Sequence, residues 1–284
     1  MSANRQNDIF EDDRILAVAL RLPSFEEALA RVLYLVEHRR PCGLVVGLAG
    51  TGKTLLLGAV FRELCSSKSS RTSCRPLQIN LRASGGAGLP WTLATRMGLS
   101  PSLSLRSEAM WRSIEDRFQG AAMSGLPMVP IIDHLEQTDS SAVLELGRCC
   151  QLALQFGSTV LLSVRPPLSG DLADVVRPLC DLRIELPLWT AHETSTFVSQ
   201  ILQEGRLPEP APGTIDAIHA CAGGRMRDTL QVLRLAVFAA QAQELDRIDA
   251  DLVQTIAAEI WQPVTPLRAS RSGHSATTTL AAAR

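Results

Sequence analysis

"GLAGTGKTLLL", residues 47–57, is the stretch whose reading decides the fold. Gly47, Gly52, Lys53 and Thr54 fit G-x-x-x-x-G-K-[ST], the spacing of a loop that wraps phosphates. The glycines let backbone N–H groups turn inward, the lysine reaches the outer phosphate oxygens, and the threonine hydroxyl ligates Mg²⁺. A helix starting at the loop adds the positive end of its dipole. The expected phosphate contacts therefore run through Gly47, Leu48, Ala49, Gly50, Thr51, Gly52, Lys53, Thr54 and Leu55. The chain has only two lysines, Lys53 and Lys68, and otherwise uses arginine. One of the two sits where a slim ammonium fits between phosphate oxygens and a planar guanidinium does not.

Working outward, "CGLVVG" before the loop is a short apolar run of the kind buried on both faces of a parallel sheet. The stretch after it has helical spacing. Further strands are expected at 76–81, 128–133, 158–164 and 182–186, separated by helices near 88–98, 106–122 and 140–155. That alternation predicts an α/β fold with a parallel sheet flanked by helices. Upstream, a helix is expected over 25–39, capped by a box of Ser24 and Glu27. Residues 1–21 read as a polar N-terminal segment, frayed to about residue 14. Beyond "LPLW" no strands are expected. A second capping box, Thr190 with Glu193, opens helices that continue near 212–222, 225–243 and 249–261. The expected organisation is an α/β domain over 22–187, a small all-α domain over 188–262 and a disordered tail over 263–284.

The chain has 284 residues, 46% hydrophobic and 20% charged, with a formal net charge of −1. That balance argues against the overall basic footprint of a dedicated nucleic-acid binder. Seven cysteines without metal-ligand spacing read as small buried hydrophobes in a reducing compartment. No signal peptide and no apolar run long enough to span a bilayer is read, so a cytoplasmic location is expected.

A phosphate loop needs a carboxylate on a neighbouring strand to position Mg²⁺, and Asp133 at the end of "VPIID" fills that role together with Thr54. The next residue, often a glutamate that polarises the attacking water, is here His134, and the nearest carboxylate is Glu136. Either Glu136 or His134 is a candidate for the water, so slow hydrolysis is expected beside firm binding.

With these residues in hand, the chain resembles the AAA+ ATPases of the ExeA type (general secretion pathway protein A). The likeness is carried by "GLAGTGKT", "IIDHLEQ", "STVLLSVRPPL", "LRIELPLWTAHETSTFV", "IDAIHACAGGRMRDTLQVLRLAVFAA" and "ELDRIDADLVQTIAAEI", and spans roughly residues 22–262. The resemblance implies a P-loop NTPase of the AAA+ kind with a helical lid, and ATP as the nucleotide. It also implies Arg227 as a lid cation reaching the γ-phosphate, and either Ser163 or Arg165 as the polar group after the sheet strand. Arg177 and Arg183 are candidates for an arginine supplied to a neighbouring subunit, without clean alignment. Three departures stand out. "IDE" reads "IDH", the turn "GGRMR" lacks the family's proline, and the larger members' membrane anchor and wall-binding region have no counterpart after the short tail. The transport role therefore does not carry over with the motifs.

The favoured function is an ATP-driven switch or motor that assembles or remodels a protein complex, with an unidentified protein partner and a homo-oligomer completed through the nucleotide site. A DNA-associated transposition-helper type of adaptor is the less favoured alternative, since dense basic spots are confined to Arg39 with Arg40, Arg225 with Arg227, and Arg268 with Arg271. A nucleotide-binding module that no longer turns over is the third.

Overall fold

The computed structural model describes residues 10–66, 73–83, 88–101, 106–138 and 140–261. The phosphate-loop strand β1 (Cys42–Val46) is buried along its whole length. It lies between β4 (Val160–Val164) and β5 (Leu182–Glu185), with Cys42 opposite Val160 and Gly43 opposite Leu182. Adding β2 (Arg75–Asn80) and β3 (Met128–Asp133) gives one five-stranded parallel sheet in the order β2-β3-β4-β1-β5.

Alternate residues of the central strands enter different cores. Val45, Val129, Ile131, Leu161 and Ile184 face one side, while Leu44, Val46, Ile132, Leu162 and Val164 face the other. Burial on both faces is why β1, β3 and β4 read as continuous apolar runs rather than as an alternating pattern. The first side is covered by α2 (Pro23–Glu37) and α3 (Lys53–Cys65). The second is covered by α4 (Gly88–Arg96), α5 (Ser107–Met123) and α6 (Ser140–Gln155), whose Leu93, Trp111, Phe118 and Leu146 are buried there. A helix not expected from the sequence, α7 (Gly170–Val176), joins β4 to β5.

After β5 the chain builds α8 (Ala191–Gly205), α9 (Thr214–Ala222), α10 (Met226–Ala242) and α11 (Ala250–Trp261). Strands do not stop altogether, as the sequence suggests. A two-residue parallel pair, β6 (Glu209–Pro210) and β7 (Arg247–Ile248), ties the approaches to α9 and α11 together, and Thr214 Oγ1 donates to Ile248 O at 2.8 Å.

The two expected capping boxes have different outcomes. Thr190 and Glu193 form theirs, with the Thr190 hydroxyl accepting from the Glu193 amide and the Glu193 carboxylate accepting from the Thr190 amide. Ser24 and Glu27 do not, because α2 starts at Pro23, whose fixed φ suits the first helical position. Leu22 becomes the N-cap, and Glu27 pairs instead with Arg31 at 2.5 Å on the helix surface. The N-terminal segment also differs from the polar, frayed stretch expected. Asp12–Ala19 forms a helix, α1, that buries Ile15, Leu16, Val18 and Ala19 against the α2 and α8 side of the core. Residues 263–284, expected as a tail, lie outside the described residues.

None of the seven cysteines is in a disulfide; Cys42, Cys149 and Cys150 are buried as expected, whereas Cys65 is exposed. Among the described residues no helix is long and apolar enough to cross a membrane.

Candidate functional site

The phosphate loop leaves β1 at Val46 and closes on the N-terminus of α3. Gly52 is its N-cap at φ 96°, a left-handed conformation open to glycine. A Cβ at Gly52 would also lie 2.5 Å from Phe25 Cζ and 2.8 Å from Met226 Sδ, so a side chain is excluded on both counts. The loop is held by Thr51, whose buried hydroxyl donates to Leu48 O at 3.0 Å.

Lys53 is not solvated. Only 9% exposed, it donates to Gly47 O at 2.7 Å and Leu48 O at 2.9 Å, so the ammonium is held inside its own loop. Burial pushes it below the ordinary lysine range, opposed by the Glu136 and Asp133 carboxylates and reinforced by Arg165 and Arg227.

Asp133 comes from the C-terminal end of β3 and is almost fully buried. Its carboxylate accepts from Thr54 Oγ1 at 2.6 Å, from the His134 amide at 2.9 Å and from Ser163 Oγ. Ser163, fully buried on β4, thus turns to Asp133 and does not line the cleft, contrary to its expected place against the nucleotide. His134 adopts a left-handed φ of 67°, which folds its ring back so that Nδ1 lies 3.1 Å from Asp133 Oδ2 without the alignment of a hydrogen bond.

Glu136 sits in the one-turn 3₁₀ segment Leu135–Gln137 that follows. It accepts from Arg165 Nε at 2.8 Å and from the Arg165 amide at 3.3 Å. Burial by itself would raise the Glu136 carboxyl, but its own amide and Arg165 hold it below the usual range. Arg165 is the first residue after β4, and pairing of β3 with β4 is what brings the two together.

Arg227 lies in the first turn of α10. Its amide donates to Gly50 O at 3.0 Å, and a Cβ added at Gly50 would stand 3.4 Å from Arg227 Cβ and 3.6 Å from Arg225 Cβ. The backbone of the α10 N-terminus is thereby docked on the phosphate loop.

These groups line one cleft of about 890 Å³. Ala49, Gly50, Gly52, Lys53, Thr54 and Leu55 form its floor, and Asp133, His134, Glu136, Arg165 and Arg227 face it. Of the expected loop contacts, Gly47, Leu48 and Thr51 lie behind the floor. Gly47 is backed by Leu186 O and Thr51 Oγ1, each 2.7 Å from where a Cβ would stand, and the Leu48 side chain points to solvent. Arg177 donates to Leu168 O at 3.3 Å and Arg183 lies on the outer strand β5; neither lines the cleft. The cleft also takes in residues the sequence did not single out: Ile15 and Leu16 of α1, Gln78 and Arg82 by β2, and Leu230, Arg234 and Leu235 of α10. The α10 set repeats every three to four residues from Arg227, so that helical stripe was the available signal. For α1 the signal was "ILAVAL" at 15–20.

The donor set fits a phosphate group with Mg²⁺. It offers a backbone cradle, an ammonium above it, and a hydroxyl beside a carboxylate, the oxygen ligands that Mg²⁺ combines with phosphates and water.

No protein-family model and no curated protein matches the chain. Solved structures do. ORC1 of Aeropyrum pernix in complex with DNA matches over 86% of this chain and 69% of its own length, at 19% identity and a TM-score of 0.63. Cdc6p from Pyrobaculum aerophilum matches over 84% and 68%, at 15% and 0.64. The RuvB Holliday junction branch migration motor of Thermotoga maritima matches over 82% and 68%, at 16% and 0.55. This chain has the P-loop AAA+ fold. In that AAA+ frame the cleft lies at the C-terminal ends of β1, β3 and β4, under the α10 N-terminus, where open α/β sheets place their ligands.

Proposed function

We propose that the chain binds Mg·ATP in this cleft, hydrolyses it slowly, and uses the angle of the α8–α11 lid as output to assemble or remodel a protein complex. The observation that carries the reading is the convergence of Lys53, the Thr54–Asp133 pair and the lid residue Arg227 on one cleft of the AAA+ fold.

Lys53 and the inward amides of the loop bind and orient the phosphates. Thr54 and Asp133 would hold Mg²⁺, which would supply charge neutralisation at the phosphates. Asp133 is fixed for this by three donors, so its carboxylate needs no reorganisation. Glu136 is the better candidate to polarise water, because His134 is folded onto Asp133. Arg227 couples the terminal phosphate to α10, and the hydrogen bond its amide donates to Gly50 O already joins lid to loop. Adenine as the base and an ExeA-like role rest on the resemblance of the sequence segments. A neighbouring copy completing the site rests on the same resemblance.

A second reading, a DNA-associated adaptor, is favoured by one observation: the ORC1 neighbour is a DNA complex and RuvB is named for branch migration. Against it, Arg227 faces the cleft and Arg225 pairs with Asp228 at 3.6 Å, which commits two of the dense cations.

The test is phosphate release from ATP by the wild-type chain beside Lys53→Ala, Asp133→Asn and Glu136→Gln, with and without duplex DNA. Release that needs all three residues supports the ATPase. Binding without release makes the chain a nucleotide-sensing module, and stimulation by DNA favours the adaptor.

A further inference from the structure

Arg62 lines the cleft from the last turn of α3, and Arg234 lines it from α10. At about 1.5 Å per residue, Arg62 lies roughly 13 Å along its helix from Lys53, and Arg234 roughly 10 Å from Arg227. Both arginines therefore stand at the end of the cleft away from the phosphate loop. Each is engaged by the start of α1. Arg62 Nη1 pairs with Asp13 Oδ1 at 2.5 Å. Arg234 Nη2 donates to Phe10 O at 3.0 Å, and its Cζ stands 5.3 Å from the centre of the Phe10 ring. Asp12, between these two attachments, lines the cleft. The turn Phe10–Asp13 thus reaches from α3 to α10 across the outer end of the cleft.

The two halves of this N-terminal segment are held differently. Ile15, Leu16, Val18 and Ala19 are buried and fix the body of α1. Ahead of them, the Arg62–Asp13 pair is exposed, a weak class of contact that salt screens. The Phe10 ring is half-buried under Arg234. Freeing the turn breaks these contacts and leaves the buried part of α1 in place, the pattern of a local opening.

We propose that Phe10–Asp13 is a latch: it fastens α3 to α10 across the outer end of the cleft, and nucleotide exchanges when this turn swings clear. The inference rests on the nucleotide-binding reading above and adds what sets the speed of exchange. Neither Phe10 nor Asp13 lines the cleft, so their side chains gate passage without holding the ligand. Loosening the latch speeds release and association together and leaves affinity unchanged.

The experiment follows release of radiolabelled ADP from the full chain after dilution into excess unlabelled ADP. Affinity is measured by equilibrium dialysis with the same label, and the two together give the association rate. Wild type is compared with Asp13→Asn, Phe10→Ala, the double variant, and Asp13→Glu, which keeps the charge. Asp13→Asn is expected to release ADP about threefold to fivefold faster, the loss of one exposed ion pair. Phe10→Ala is expected to release it about twofold to fivefold faster, the loss of one exposed cation–π contact. The double variant should reach about tenfold, and Asp13→Glu should stay close to wild type. Affinity should hold within about twofold throughout, which also shows that each variant is folded. Added salt should speed release from wild type more than from Asp13→Asn. Release at the wild-type rate from the double variant would overturn the proposal. So would faster release matched by an equal loss of affinity, since the side chains would then hold the ligand rather than gate it. Wild-type chain that binds no ADP would overturn the nucleotide-binding reading itself, a result distinct from either.

Discussion

On the β1–α3 side, the cleft is bounded by backbone and by one lysine whose ammonium is held by the loop's own carbonyls. On the β3–β4 side it is bounded by side chains held by neighbours: Asp133 by Thr54 of α3 and by Ser163 from behind, Glu136 by Arg165. The first wall is shaped by glycine torsions and by the close approach of Phe25 and Met226, and little in it can rearrange. The second wall consists of charged side chains each held by hydrogen-bonding neighbours. Under the proposed function, binding falls to the loop and catalysis to the opposite wall, with the α10 N-terminus joined to the loop through Gly50 and Arg227.

The largest expected effect breaks the first wall. Lys53→Ala should weaken nucleotide binding about 10- to 100-fold, the loss of charge-assisted contacts of 1.5–3 kcal/mol, as read by displacement of a fluorescent nucleotide. Because Lys53 is buried against carbonyls, its removal also leaves Gly47 O and Leu48 O without those donors, and a small fall in thermal midpoint should accompany the loss. Next, Asp133→Asn keeps the shape of the second wall but removes its fixed charge. Binding of the free nucleotide should persist while the gain on adding Mg²⁺ disappears, which titrations with and without metal will show. Arg227→Ala is smaller still, a few-fold loss, since the hydrogen bond from the amide to Gly50 O survives the substitution. Its larger consequence should be on lid closure, followed by limited proteolysis in saturating nucleotide.

The smallest effects concern the frame that carries both walls. Thr190→Ala removes a formed capping box and should cost roughly 1 kcal/mol of unfolding free energy. Ser24→Ala removes a cap that does not form and should cost close to nothing in the same urea titration. Equal losses would contradict the assignment of Leu22 as the α2 N-cap.

These two boxes also show how far local sequence could be read. Ser24-x-x-Glu27 and Thr190-x-x-Glu193 carry the same pattern, and only a competitor outside it, Pro23 at the first helical position, separates them. Glu193 even reaches the Ser24 amide, at 3.4 Å, so the amide left by the failed box meets the carboxylate of the other. The sheet was legible because burial on both faces writes the central strands β1, β3 and β4 as apolar runs, and the loop because its glycines and lysine answer to torsion and charge within eight residues. The rest of the cleft depends on partners far apart in sequence. That Ser163 turns to Asp133 and Arg165 to Glu136 follows from β3 lying beside β4, which no local pattern states. The burial of α1 escaped because its apolar run is short and follows an acidic stretch.

The measurement that tests the central claim most directly is a calorimetric titration of the wild-type chain with ATP, in the presence and absence of Mg²⁺, with Lys53→Ala as the reference. Saturable binding at one site per chain, tighter with Mg²⁺ and lost in the variant, is the predicted result. Saturation that is indifferent to Lys53, or no saturation under either condition, would contradict the assignment of this cleft as a nucleotide site.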